Sequence, residues 1–268
     1  MALPSWLARL VGLPSKGGEA QRPRLKLATT PDVLYAIGDV HGCLAQLQDV
    51  ERQIVADAAS LAGDKLIVVL GDLVDRGPNS AEVLDHLLRR PPAGFRRICL
   101  AGNHDDMMLA FLDAPRRHMD WLEFGGDATL RSYGVDVEAL RLLSDTRMKS
   151  VLAAHVPNEH KALLAGLPAL VATPDYVFAH AGVRPGVAID AQADADLLWY
   201  RDGFEADFAE FAQLVVHGHI PVADPHISPH RIGIDTGAYA TGRLTAVRLT
   251  ANKPPLLLAT KRAGRVIG

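Results

Sequence analysis

The chain has 268 residues, 49 % of them apolar and 22 % charged, an ordinary balance for a globular protein that buries a large core in one domain or in one domain with an insertion. A formal net charge of −3 gives no overall attraction to nucleic acid or to an anionic membrane, so neither is expected as a partner. Two cysteines, Cys43 and Cys99, argue against a disulfide framework and suit a reducing, cytoplasmic setting.

The first thirteen residues end Trp6-Leu7-Ala8-Arg9-Leu10-Val11-Gly12-Leu13. They lack the parts of a signal peptide, and no apolar run reaches transmembrane length. Residues 1–30 read as a lead-in, with 14–31 as a loop, and 31–268 as the main domain. Val33–Ile37 is a short apolar run ending in Gly38-Asp39. Residues 43–59 carry apolar side chains at helical spacing: Leu44, Leu47, Val50, Ile54 and Val55. Leu66–Leu70 is a second run ending in Gly-Asp, 80–89 reads as a helix, and Arg97–Leu100 ends in Gly102-Asn103-His104. Strands alternating with helices predict an α/β layered fold. Residues 113–165 read as a helical insertion, a cap broken at Gly125-Gly126 and Gly134. Beyond it come strand-like runs at 169–172, 176–180, 213–217, 231–235, 244–249 and 255–259.

Polar clusters stand where buried strands should simply turn: Gly38-Asp39-Val40-His41-Gly42, Gly71-Asp72-Leu73-Val74-Asp75-Arg76-Gly77, Gly102-Asn103-His104-Asp105, Ala179-His180-Ala181-Gly182 and His217-Gly218-His219. One Gly-Asp after a strand is usually a turn, and one buried histidine is usually a core residue. Five clusters in a fixed order point to ligands gathered at carboxyl ends of strands. Asp39, His41, Asp72, Asn103, His180 and His219 offer hard oxygen and borderline nitrogen without thiolate, a set that suits a pair of divalent cations, Mn first, with Fe or Zn as alternatives. Such a pair clamps both ends of an in-line displacement.

The order GDVHG, GDLVDRG, GNHD, HAG, GH resembles the phosphoprotein phosphatase family of dinuclear metallophosphoesterases, in its compact bacterial and phage form, over residues 33 to 249. The resemblance implies a β-sandwich flanked by helices and attack by a metal-bridging hydroxide on a phosphate monoester. It implies that Asp39 and His41 hold the first metal, that Asp72 bridges, and that Asn103, His180 and His219 hold the second. His104 would be the general acid, Asp75 its orienting partner, and Arg76 a phosphate-binding fork. Arg201 is expected as a second phosphate-binding arginine, with Arg184 as its rival. Pro221 stands where many relatives outside this family carry a further histidine. Asp235 is expected to be structural and Cys43 to be a small buried residue; Tyr239 is open between a place near the site and one away from it.

The leading expectation for the substrate is a phosphoserine or phosphothreonine protein, with phosphotyrosine or a small phosphoester also open. The alternative is a dinucleoside polyphosphate, since symmetrical diadenosine tetraphosphatases share Gly-Asp-Val-His-Gly-Cys. They place alanine where this chain has Asp75, which favours the first reading. A scaffold without activity would be expected to lack a metal ligand, and none is missing. The basic insertion, with Arg116, Arg117, Arg131, Arg141, Arg147 and Lys149, reads as a solvated face or as a rim selecting anions. Its patch of Trp121, Gly125, Gly126, Thr129 and Tyr133 is expected to border the active-site mouth.

Overall fold

A computed structural model describes residues 21–201 and 211–261; the amphipathic stretch at residues 6–13 lies outside the described residues. In chain order the strands are β1 (Arg24–Lys26), β2 (Val33–Ile37), β3 (Lys65–Val69), β4 (Phe95–Cys99), β5 (Leu170–Ala172), β6 (Tyr176–Ala179), β7 (Leu214–His217), β8 (His226–Ile227), β9 (Arg231–Gly233), β10 (Thr245–Thr250) and β11 (Leu256–Ala259). One sheet runs β11-β10-β2-β3-β4 and the other β1-β5-β6-β7-β9-β8. Within the first, β2, β3 and β4 are parallel neighbours; within the second, β6, β7 and β9 are.

The apolar run Val-Leu-Tyr-Ala-Ile of β2 is buried throughout because both faces are covered, as parallel strands require. Leu34 and Ala36, with Leu66, Val68 and Ile98, face Val171, Phe178, Val216 and Ile232 of the opposite sheet. Val33, Tyr35 and Ile37 point the other way, into a core shared with α1 (Leu44–Ala58) and α2 (Ser80–Leu88). The period-2 alternation of side chains across a strand therefore sorts one short run into two cores. In α1, Leu47, Val50 and Ile54 are buried, whereas Val55 is 42 % exposed. It lies one residue, or 100°, round the helix from Ile54 and so leaves the buried stripe.

Arg24–Lys26, within the stretch read as a loop, forms β1 and pairs in parallel with β5. Three residues with two charges carry no periodic signal. Leu25 points inward, and flanking ion pairs to Asp190 and Asp194 hold the charged neighbours outside. Between β4 and β5 run α3 (Asn103–Asp113), two 3-10 turns (Pro115–Arg117 and Met119–Phe124), α4 (Gly126–Ser132), α5 (Val137–Arg141), α6 (Asp145–His155) and α7 (Asn158–Gly166). A 3-10 turn (Ile189–Ala191), α8 (Asp194–Trp199) and α9 (Ala238–Thr241) complete the helices of the described residues. No helix of the described residues is long and apolar enough to cross a membrane.

Candidate metal centre

All five polar clusters arrive at one place, the carboxyl ends of β2, β3 and β4 in one sheet and of β6 and β7 in the other. The loops after β2 and β3 are stitched together by backbone: the amides of Val40 and His41 donate to Asp72 O at 3.2 and 2.8 Å, and Gly77 N donates to His41 O at 3.1 Å. Asp105, to which the sequence assigns no role, locks the third loop in place. Its carboxylate accepts from Leu73 N (3.0 Å) and Gly102 N (2.9 Å), and burial raises its pKa to about 8. His180 joins the second sheet to this set through Leu70 O, 2.9 Å from its Nδ1, and Gly218 N donates to the His180 carbonyl at 2.9 Å.

Six non-glycine residues among the described residues have positive φ, and five belong to the site: His41 (42°), Asp72 (46°), Asp75 (74°), Arg76 (68°) and His219 (67°). Left-handed backbone costs an L-residue roughly 1–2 kcal/mol, so five together set several kcal/mol against folding. The surrounding hydrogen bonds and packing hold them there, which is the pattern expected where geometry serves chemistry.

Asp72 sits between two groups of imidazoles. His41 Nε2 lies 3.3 Å from its Oδ2 and His180 Nε2 3.4 Å from its Oδ1. Around this carboxylate, His41 and His104 form one potential ligand group and His180 and His219 another. Asn103 Oδ1 is 3.0 Å from His180 Nε2. The Nδ1–H of His41 is committed to Val74 O (2.8 Å) and that of His180 to Leu70 O (2.9 Å), so each turns Nε2 inward, as second-sphere carbonyls do for metal-bound histidines. Burial holds both rings neutral and pulls His41 down to about 3; it also takes His219 to about 2, helped by the neighbouring His180. The pKa of Asp72 is depressed: burial alone would raise it, but His180, His104 and His41 around it win.

The residues fit a pair of divalent cations. Asp39 Oδ1 is buried with no hydrogen-bond partner, while its Oδ2 accepts from His219 N at 3.0 Å. Burial, then the charges of Asp235 and Asp72, push Asp39 well above the usual carboxylate range, and Asp235 itself rises to about 6 mainly through burial. The Arg76 guanidinium only partly offsets the crowding of these three carboxylates, and a bound cation would let all of them ionise at once. Two glycines make the cradle possible: a Cβ on Gly218 would stand 1.8 Å from Asp39 Oδ1, and one on Gly102 2.1 Å from Asp72 Oδ1.

His104 is held differently. Its Nδ1–H donates to Asp75 Oδ2 at 2.7 Å, and its Nε2 lies 2.9 Å from Arg76 Nη2. Burial lowers its pKa, but the charge of Asp72 and the hydrogen bond and charge of Asp75 outweigh that, so it ends above the ordinary histidine value. Asp75 is saturated from the insertion: Trp121 Nε1–H donates to Oδ2 (2.7 Å) and the Thr129 hydroxyl to Oδ1 (2.8 Å). Gly125 O accepts Arg76 N–H at 3.1 Å, and a Cβ on Gly126 would meet the Trp121 ring at 2.4 Å. The adjacent glycines that break the helical pattern are thus where the insertion closes on the Asp75-Arg76 loop.

Arg76 Nη1 also donates to His41 Nε2 at 2.9 Å, with its guanidinium over the Tyr239 ring at 4.8 Å. Tyr239 in turn packs edge-on against His41, so it lies at the site. Of the two rival arginines, Arg201 reaches the cluster, its Nε 3.2 Å from His219 Nε2. Arg184 is ion-paired with Asp196 at 2.6 Å and lies over Tyr200. The sequence cannot separate them: Arg184 follows β6 by a few residues and Arg201 follows α8, and only the fold sets Asp196 of α8 against Arg184 and leaves Arg201 at His219. Burial of Cys43 takes its thiol up to about 11, away from nucleophilic use.

Comparison with known proteins agrees with this geometry. The chain is 25 % identical over 236 residues to an asymmetrical bis(5'-nucleosyl)-tetraphosphatase, PrpE, of Oceanobacillus iheyensis, covering 79 % of this chain and 86 % of that one. Its counterpart of the same name in Halalkalibacterium halodurans is 27 % identical over 235 residues, covering 79 % and 88 %. In fold it resembles the crystal structure of a candidate diadenosine tetraphosphatase, with a TM-score of 0.60 and 23 % identity over 87 % of this chain and 96 % of that one. The model of the calcineurin-like phosphoesterases matches residues 33–257, a span that holds every residue of the cluster. Its α/β fold of two sheets flanked by helices, its gathered ligand groups and this match make the chain a member of the calcineurin-like metallophosphoesterase family, whose hydrolytic chemistry uses divalent metal ions.

Proposed function

We propose that this enzyme hydrolyses dinucleoside polyphosphates, with dinucleoside tetraphosphates as the principal substrate class. The observation that carries the reading is the pair of arginines on opposite sides of Asp72. Arg76 is bound to His41 and His104, and Arg201 to His219. One phosphoryl group can engage one guanidinium fork while its neighbours in a chain meet the other, so fixed cations at both sides suit an extended polyphosphate. The tetraphosphatase names of the relatives aligned over 79 % of the chain support the same class. The expectation of a phosphoprotein substrate thereby becomes the second reading, favoured by Asp75 on His104, the feature it rested on.

In this reading Asp39, His41, Asp72, Asn103, His180 and His219 would hold the metal pair. Divalent ions bound there would activate water and neutralise charge on the phosphoryl oxygens. His104 keeps a proton for the leaving oxygen because Asp75 accepts from Nδ1 and favours the imidazolium. Trp121 and Thr129 keep Asp75 itself fixed, so the acid presents one orientation. Arg76 and Arg201 bind equatorial oxygens as charge spreads over them. Assaying the metal-loaded protein on diadenosine tetraphosphate and on a phosphoserine peptide side by side tests the assignment. Diadenosine tetraphosphate is expected to have the higher kcat/KM by at least about tenfold, on the order of one lost charge-assisted contact; a preference for the peptide establishes the second reading instead.

A further inference from the structure

A cavity of about 480 Å³ opens beside α3, within the size range of small-molecule sites, and the chemistry above does not use it. Met107, Ala110, Trp121 and Trp199 form its apolar walls, and Asp106, Asp120 and His118 stand at it. We propose that this cavity is a nucleobase subsite, with Trp199 stacking on one base of the dinucleoside polyphosphate; this assignment rests on the function proposed above.

Two arms that start in the metal centre frame the cavity. Met107 and Ala110 lie three and six residues beyond His104 in α3, roughly 4.5 and 9 Å along the axis. Trp121 is fully buried and donates to Asp75, so it is a fixed wall. On the other side Trp199 ends α8, held by the buried Leu197 and Leu198, yet is itself 44 % exposed. Two residues later Arg201 meets His219, a backbone reach of at most about 7 Å. A group lying on Trp199 is thus tethered within one short chain length of both Arg201 and His104.

The charge of the cavity selects what enters. Asp106 is partly engaged by Arg22 Nε at 3.0 Å, and Asp120 is exposed on its 3-10 turn. Carboxylates repel a phosphate chain and accept from the N–H groups of a base edge, while indole offers a flat apolar face to the ring. The cavity therefore takes the uncharged end of the substrate and leaves the anionic chain to the arginines. A basic side chain of a phosphopeptide is the competing occupant, and the test separates the two.

Adenosine is titrated into the metal-free full-length protein while tryptophan emission is followed. Saturable quenching is expected in the wild type and is expected to shrink markedly in Trp199→Phe, which removes the stacking indole and leaves Trp121 as the cavity's remaining indole. In the metal-loaded enzyme, the ratio of kcat/KM for diadenosine tetraphosphate to that for inorganic tripolyphosphate should fall about tenfold to a hundredfold in Trp199→Ala, the size of one lost base–aromatic stack. Trp199→Phe should restore most of the ratio, since a phenyl ring still stacks. If diadenosine tetraphosphate is cleaved and the ratio is unchanged in Trp199→Ala, the subsite is wrong and the function stands. If adenosine quenches emission through Trp199 but diadenosine tetraphosphate is not cleaved, the base site stands and the function fails. A wild type that neither responds to adenosine nor cleaves diadenosine tetraphosphate, but prefers a phosphopeptide with a basic neighbour, overturns both.

Discussion

The two sheets contribute unequally to the metal centre. The loops after β2, β3 and β4 carry Asp39, His41, Asp72, Asp75, Arg76, Asn103 and His104, with four of the five strained site residues among them. They are interlocked by backbone hydrogen bonds, by Asp105 and by the insertion through Trp121 and Thr129. The loops after β6 and β7 bring His180 and His219, with the exposed Arg201 between them in the chain. The first half is held by many such contacts; the second adds two imidazoles to the group around Asp72. On the function proposed above, the acid and the bridging carboxylate belong to the interlocked half and the second phosphate contact to the other.

The largest effect that would test this division is at Asp72, the carboxylate shared by both halves. Asp72→Asn should deplete metal at both positions in elemental analysis and abolish turnover; a variant that keeps its full metal content would show that the halves do not meet there. Next comes His104→Asn, which should retain metal and lose roughly 10²–10⁴ in turnover on substrates with poor leaving groups. An activated aryl phosphate needs less protonation and should lose less, so equal losses on the two would remove His104 as the acid. The arginines compare the halves directly. Arg76→Lys should lower kcat, because the fork that binds two imidazole neighbours is lost, whereas Arg201→Ala should act mainly on KM. Each effect is expected to be about tenfold to a hundredfold, the scale of a charge-assisted hydrogen bond. Normal kinetics and normal phosphate inhibition in Arg201→Ala would return the second anion contact to an open question.

Two smaller predictions probe how firmly the first half is anchored. Thr129→Val removes one of the donors to Asp75 and should cost about 1–3 kcal/mol of stability in denaturant unfolding, the price of a buried acceptor left short. Turnover should fall with it, since His104 depends on Asp75. Behind β4, Glu51 joins α1 to α2 and the sheet through His86 (2.6 Å) and Arg97 (2.9 Å). Burial would raise its pKa, but His86 and Arg97 together bring it below the ordinary glutamate value of 4.5. A depressed carboxylate stabilises the fold fully above its unfolded value and loses that contribution as pH falls through the folded one. Wild type and Glu51→Gln should therefore differ in stability near pH 7 and converge below pH 4.5, as urea midpoints at the two pH values will show.

Much of this was legible in the chain itself. Runs of apolar residues ending in Gly-Asp, Gly-Asn-His, His-Ala-Gly and Gly-His mark strand ends and ligand types together, because a buried strand is continuous and apolar and only a ligand repays a charge at its tip. Those local facts determined the α/β class, the family and the identity of the residues that gather. Short strands such as β1 escaped, since three residues have no period to read. What only the tertiary structure decided depends on contacts distant in sequence. Arg201 faces His219 while Arg184 turns to Asp196, because α8 directs them apart. Trp121 and Thr129, some fifty residues after Asp75, become its hydrogen-bond donors because the insertion folds back across the β3 loop. The cavity between α3 and Trp199 exists only once both sheets have brought their ends to the same carboxylate, Asp72; no window of sequence contains it, because its walls belong to segments joined by packing alone.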